Sequence, residues 1–424
     1  MKYSVIPILI MALIGCSARQ SPNIFAGGTV KSQGQELASK SKFVLPVGFH
    51  EFHKDESFNF QLNRWYSMGY ARFEDMEEAG KKINSFEDWK TEMLKLAEIA
   101  ASEDRMMNAA YYYRAAELFT TREDPEKEHL YDKFIDHFQK AFQEDAIERF
   151  EVPYNDSFLP AMRIQQKDAE KRGTVVLHGG FDSFIEELYF LMRSFSDHDY
   201  EVIAFDGPGQ GGALKKYGLA FDYEWEKPTK AILDHFDLDD VTLIGMSMGG
   251  WLCLRAAAFE PRITRVIAWS VSYDVMQYTN VVGQYFAKLL FRRFRDFTNN
   301  AMVKKMKKDL EYSWFVNNLM YITNKEVPIE GFDVLFQLNE ENLHSESVKQ
   351  DVLILTGRKD HMVPFKMHNL QIKALTNARS VTGRVFTKDE QAHNHCQMGN
   401  MGLALDVMLK WIDGKSKSDN HQAS

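Results

Sequence analysis

The stretch LIGMSMGGW holds Gly245-x-Ser247-x-Gly249 at the end of an apolar run and before the helix-forming WLCLRAAAFEP. A strand, a sharp turn and a helix in that order lift a serine oxygen clear of the backbone. Glycines on either side let neighbouring chain pass close by. Ser247 is therefore a candidate nucleophile. A serine hydroxyl is weak and needs a base, itself oriented by an acid. The acid candidate is Asp360, three residues beyond Gly357 in DVLILTGRKD. His361 beside it is expected to point away. The base must come from QAHNHCQMGN, where His393 and His395 both follow the last apolar run. Two residues apart, they face the same side of an extended loop, so spacing alone does not separate them.

An acyl-transfer site also needs backbone N–H groups for the developing oxyanion. One is expected from Met248, after the serine. The other is expected from the turn after VVLHGG, at Gly180 or Phe181. His178, just before that turn, reads as a structural hydrogen-bonder. Other chemistries fit less well. A zinc site wants three or four ligands in defined geometry; His393, His395 and Cys396 have no matching pair elsewhere, so no metal site is expected. DGPGQGG at Asp206–Gly212 lacks the glycine register of a dinucleotide loop and the Lys-Ser/Thr of a phosphate loop. The triple tyrosine Tyr111–Tyr113 reads as helix core rather than a ligand cage.

These residues need a scaffold that ends several strands at one edge. Short, continuous apolar runs begin at Gly173, Glu201, Val241, Arg265, Asp351 and Gly383, separated by helical stretches. Such runs suit strands covered on both faces, and the alternation predicts a mostly parallel, doubly wound α/β sheet with right-handed crossovers. RFEVPYNDSFLPAMRIQ before them reads as two strands joined at Asn155–Asp156. Sites in such sheets lie beyond the carboxyl ends of the strands. Ser247, Asp360 and the histidines all fall there. Residues 46–149 read as an N-terminal helical domain, with SFED at Ser85–Asp88 as a capping box and Pro125 near a later helix start. Residues 150–415 read as the sheet domain, with 272–350 as a helical lid insertion. RRFR and KKMKK in that insertion read as a solvated basic face. Residues 416–424 read as a polar tail.

The net charge of −9 over 424 residues argues against a nucleic-acid partner. Three cysteines, at 16, 253 and 396, make no disulfide framework. The N-terminus, MKYSVIPILIMALIGC, has one lysine and an apolar run too short to span a bilayer. LIGC resembles a bacterial lipobox. That implies a signal peptide over 1–15, lipidation at Cys16 and a polar tether over 16–45. Ser17 after the cysteine implies the periplasmic face of the outer membrane.

Together LHGGFDSFIEELYF, FDGPGQGG, IGMSMGG, LTGRKDHMVP and HNHCQMGN resemble a branch of the α/β-hydrolase superfamily. That branch includes 2,6-dihydroxypseudooxynicotine hydrolase, fungal siderophore esterases and polyketide-shortening hydrolases. The resemblance covers about residues 60–415. It implies a serine hydrolase with a helical region before the core and no cofactor. It also implies a choice of base, because the branch carries a His-Cys-Gln segment after its last strand, and His395-Cys396-Gln397 matches it. The chain departs from the branch in having DEQAH where a Gly-rich segment is common. Some members use an extra acid for carbon–carbon cleavage, for which Glu186, Glu187 and Asp274 are candidates. The expected substrate is a moderately sized small-molecule ester. A carbon–carbon bond in an activated ketone comes second and a peptide third. A lipoprotein that keeps the fold without catalysis is the alternative from another class, and a homodimer is compatible with the sequence.

Overall fold

The computed structural model describes residues 43–166 and 171–422, with side chains to residue 415. The expected signal segment, Cys16 and all but the end of the tether lie outside the described residues. Among the described residues five helices come first: α1 (Glu56–Ser67), α2 (Phe73–Gly80), α3 (Phe86–Ser102), α4 (Met106–Leu118) and α5 (Lys127–Ala141). Two of these starts carry a side-chain cap, Asp55 at α1 and Ser85 at α3. Ser85 Oγ accepts the N–H of Asp88 at 3.1 Å, and Asp88 reaches back to the N–H of Asn84 rather than Ser85. Orphan amides of the first turn are satisfied this way, which stabilises a helix end by about 1 kcal/mol.

The sheet follows: β1 (Glu148–Tyr154), β2 (Ser157–Ile164), β3 (Gly173–His178), α6 (Tyr189–Ser196), β4 (Tyr200–Phe205), α7 (Gly211–Lys215), α8 (Glu226–His235), β5 (Val241–Met246), α9 (Gly249–Phe259) and β6 (Ile263–Trp269). The cap is next: α10 (Val281–Arg293), α11 (Arg295–Met306), α12 (Leu310–Thr323), α13 (Pro328–Leu335) and α14 (Glu340–Leu343). β7 (Asp351–Gly357), α15 (Lys366–Ala374), β8 (Ser380–Phe386) and α16 (Met401–Gln422) close the chain. α16 runs on through residues read as a polar tail.

The strand order is β1-β2-β4-β3-β5-β6-β7-β8. β1 and β2 form an antiparallel hairpin, with Asn155 at φ +52° in the two-residue turn, and β2 pairs antiparallel with β4. β3 to β8 are parallel. This is the α/β-hydrolase fold with an N-terminal helical region. Period-two alternation divides the core between the two faces. Val175 and Leu177 of β3 join a core built with α1 to α6 and α16, while Val176 joins the core under α8, α9 and the cap. The N-terminal helices therefore share their apolar core with one sheet face. The three tyrosines of α4 are all buried in it: Tyr111 stacks on Tyr70 with ring centroids 3.4 Å apart, and Tyr112 donates to Asp75 at 2.7 Å. No helix among the described residues is long and apolar enough to cross a membrane.

Candidate active site

β5 ends at Met246 and α9 starts at Gly249, so Ser247 occupies the turn between them with φ +63°. An L-residue there is strained. The glycines make the turn possible by steric necessity. A Cβ on Gly245 would sit 1.9 Å from the Gly249 carbonyl oxygen, and one on Gly249 would sit 2.4 Å from that of Gly179.

Ser247 Oγ lies 2.8 Å from His395 Nε2. His395 Nδ1 lies 2.8 Å from Asp360 Oδ2. The tautomer that satisfies both contacts donates Nδ1–H to Asp360 and accepts the serine proton at Nε2. Asp360 is held in turn. Its Oδ1 accepts the N–H groups of Met362 and Val363, both at 2.9 Å. Burial alone would disfavour both charges. It is outweighed by their mutual attraction, which holds Asp360 below the usual carboxylate range and His395 well above the usual imidazole range.

The histidine loop is fastened to the neighbouring strand ends. Cys396 and Gln397 both have positive φ, at +49° and +54°. Cys396 N–H donates to Ser270 Oγ at 3.1 Å, and Trp269 Nε1 at the end of β6 donates to Gln397 Oε1. Gly357 lets the loop cross the end of β7, since a Cβ there would meet the carbonyl oxygens of Asn394 and His393 at 2.3 and 2.5 Å. His393 is not part of the relay. Its Nδ1 is buried without a partner among the described residues, and burial together with Lys359 and Lys388 lowers its proton affinity.

His361 departs from expectation. Rather than pointing away, its ring lies 6.3 Å from that of His395, edge-on, and 4.5 Å from Phe60 of α1. The two N–H bonds to Asp360 curl the loop into a tight turn that carries His361 back over the site. The N-terminal helices thus touch the site through Phe60, which also lies 6.3 Å from the His395 ring.

The turn after β3, expected to offer the second N–H donor, is equally constrained. Gly180 packs so closely on the elbow that a Cβ there would lie 2.8 Å from Met248 N. The Gly180 N–H is already used, donating to Ser183 Oγ at 3.2 Å. The N–H groups of Met248 and Phe181 have no partner among the described residues and remain for an incoming oxygen. His178 is a structural group: its Nδ1 contacts the Gly179 carbonyl at 3.0 Å, and burial pushes its imidazole down to about 4.

Two buttresses of this turn were missed in the sequence. Gln210 Nε2 donates to the carbonyls of Gly179 and Gly180 at 2.9 and 3.0 Å. Its place in DGPGQGG, just beyond the end of β4, is the signal that points to it. Arg114 of α4 donates to the Asp182 carbonyl at 2.9 Å, to Glu187 at 2.6 Å and to Glu117 at 2.6 Å. No local pattern marks that contact. Above the turn, Phe315 of α12 stacks on Phe181 with ring centroids 5.4 Å apart.

The acids considered for carbon–carbon cleavage are engaged elsewhere. Glu186 pairs with Arg149, Glu187 with Arg64 and Arg114, and Asp274 caps the turn at Val275–Tyr278 by accepting the Met276 N–H.

Residues 175–394 match the family model described as alpha/beta hydrolase fold. Among characterised relatives, hydrolase acrC of Aspergillus aculeatus is 29% identical over 302 residues, covering 63% of this chain and 70% of its own. The 20-hydroxy-prefusarin hydrolase FUS2 of Gibberella moniliformis is 27% identical over 336 residues, covering 72% and 79%. The crystal structure of 2,6-dihydroxy-pseudo-oxynicotine hydrolase superimposes with a TM-score of 0.59 at 20% identity, over 82% of this chain and 94% of that one. At that identity the likeness concerns the fold.

Proposed function

Because the chain belongs to the alpha/beta hydrolase family, we propose that this hydrolase is a serine esterase acting on a moderately sized small molecule. The observation that carries the reading is the unbroken relay from Ser247 through His395 to Asp360, with 2.8 Å at each link. Ser247 Oγ attacks the acyl carbon as its proton passes to His395 Nε2. Asp360 stabilises the imidazolium so formed. The carbonyl oxygen becomes an oxyanion between the N–H groups of Met248 and Phe181, where one missing donor costs on the order of 10²–10³ in rate. Collapse breaks the ester bond, and His395 returns the proton to the departing alcohol. Water, deprotonated by the same imidazole, then releases the acid and restores Ser247.

Ester cleavage asks for nothing beyond these groups. Carbon–carbon cleavage asks for a further acid, and the candidates Glu186, Glu187 and Asp274 are committed to ion pairs or a turn cap. A fold kept without catalysis gives no reason for a strained serine, a partnered base and two open donors to coincide. The cap and N-terminal helices are proposed to shape the acyl and leaving-group pocket through Phe315, Phe60 and His361. A fluorophosphonate probe should label the protein, and Ser247→Ala should abolish labelling. A folded wild-type protein that takes no label sinks the proposal. Attachment to the outer membrane through a lipid on Cys16 is proposed separately, and Cys16→Ser should then release the protein from membranes.

A further inference from the structure

α10 and α11 carry apolar side chains that nothing among the described residues covers. Of the fourteen strongly exposed large apolar side chains among the described residues, eight lie within residues 281–310. The pattern on α10 is regular. Val281, Tyr285, Lys288 and Arg292 form one row along the helix, and Val282, Phe286, Leu289 and Arg293 form the adjacent row. Gly283, Ala287 and Phe291 occupy the opposite side and are buried, with Phe291 against Phe336 at 4.8 Å. The outward face is thus apolar in its first half and basic in its second. The next helix carries a further exposed aromatic: Phe297 is 65% exposed, much as Tyr285 is at 66%.

Charge distinguishes this face from the rest of the surface. Residues 281–310 contain eight Lys and Arg against two Asp, in a chain of net charge −9. Lys288, Arg292 and Arg293 have no ion-pair partner among the described residues. A second copy docked about an axis through the basic half would set the same side chains against each other, whereas an anionic surface attracts all three. Aromatic and aliphatic side chains beside lysines and arginines suit the boundary between acyl chains and anionic headgroups.

We infer that the α10–α11 face docks onto an anionic phospholipid bilayer, with Val281, Val282, Tyr285 and Phe286 entering the acyl boundary and Lys288, Arg292 and Arg293 lying among the headgroups. The docking surface adjoins the proposed site. α10 begins three residues after Tyr278, which packs with Val363 in the loop that follows Asp360. A docked molecule would hold that side of its cap against the lipid surface, where amphiphilic esters concentrate. The inference stands whether or not Ser247 is a nucleophile, and it does not depend on the N-terminal segment.

The test reads this face alone, so that other membrane attachment cannot mimic it. In the full chain carrying Cys16→Ser, Phe286→Cys takes an environment-sensitive fluorophore, since Cys253 and Cys396 are buried. A second sample carries the label at Phe158→Cys on β2. With mixed phosphatidylglycerol and phosphatidylcholine vesicles, the label at 286 should brighten and shift to the blue, while that at 158 should not. Pure phosphatidylcholine should give much less, and salt should reverse the effect. Replacing Lys288, Arg292 and Arg293 by glutamine should weaken the response by about a hundredfold, at about fivefold per charge. These positions are exposed, and an unchanged far-UV circular dichroism spectrum and melting temperature check that the variants fold. No response at 286, an equal response at 158, or equal response to both lipid mixtures overturns the inference. So does a shift that depends on protein concentration without vesicles, which would assign the face to a second copy. A shift produced by polyglutamate but not by vesicles would assign it to an acidic protein and equally overturns it.

Discussion

The cap has an inner and an outer layer, and they treat apolar side chains in opposite ways. α12 buries Phe315, Val316, Leu319 and Ile322, stacks Phe315 on Phe181, and donates Trp314 Nε1 to the Leu118 carbonyl of α4 at 2.7 Å. α10 buries one narrow side and leaves valines, tyrosine and phenylalanine in water. Burying such a side chain stabilises by about 1.5–3 kcal/mol. The inner layer uses that stabilisation to fix the position of the oxyanion turn. The outer layer leaves it unrealised among the described residues. Removing inner groups should therefore disturb chemistry on any substrate, and removing outer ones should leave hydrolysis of a soluble ester alone.

The steepest loss should come from the relay beneath the inner layer. His395→Ala is expected to lower kcat by about 10⁶, with His393→Ala within a few-fold of wild type. Comparable losses in both would mean that the two histidines share the role. Asp360→Asn is expected to cost about 10⁴, and its pH profile sharpens the assignment. The base works only when neutral, so kcat/KM should rise with pH through the pKa of His395. Asp360 holds that pKa above 6.5, so the midpoint should lie above 6.5 in the wild type and move down in Asp360→Asn. A midpoint that stays in place would show that Asp360 is not the partner.

Arg114→Ala tests whether the N-terminal helices position the oxyanion turn. It frees the Asp182 carbonyl and leaves Glu117 and Glu187 short of a cation. Activity should fall by about 10–10³, bounded by the loss of one donor, mainly in kcat. Stability should fall by about 3–5 kcal/mol in chemical denaturation. Loss of stability with kcat intact would reduce Arg114 to a fold-holding residue. Tyr285→Ser with Phe297→Ser marks the opposite end of the scale. Hydrolysis of a water-soluble ester should be unchanged, and stability should move by no more than about 0.5 kcal/mol per site. A large loss would place the outer layer in the solution chemistry after all.

The sheet was legible because strands buried on both faces write themselves as unbroken apolar runs, each closed by glycine or a turn. Ser247 and Asp360 were legible because they sit immediately after such runs. The choice between His393 and His395 was not legible in spacing and came only from the His-Cys-Gln resemblance. It depends on Cys396 and Gln397 taking left-handed conformations, fastened to Ser270 and Trp269 more than 120 residues away. Arg114 and Gln210 escaped for the same reason, since the turn they brace is distant in the chain. His361 was misread because the turn tightened by Asp360 reverses its direction. The two layers of the cap share one helical period, so periodicity could not say which of them faces water.

Ser247 sits at φ +63°, and that dihedral has a consequence for how the protein can change. A serine held in the left-handed region costs on the order of 1–2 kcal/mol relative to glycine. Ser247→Gly should therefore raise the melting temperature while ending all reaction with the fluorophosphonate. If so, selection for robustness and selection for turnover pull in opposite directions at this one codon, and a sturdier chain is a single substitution away from an inert one.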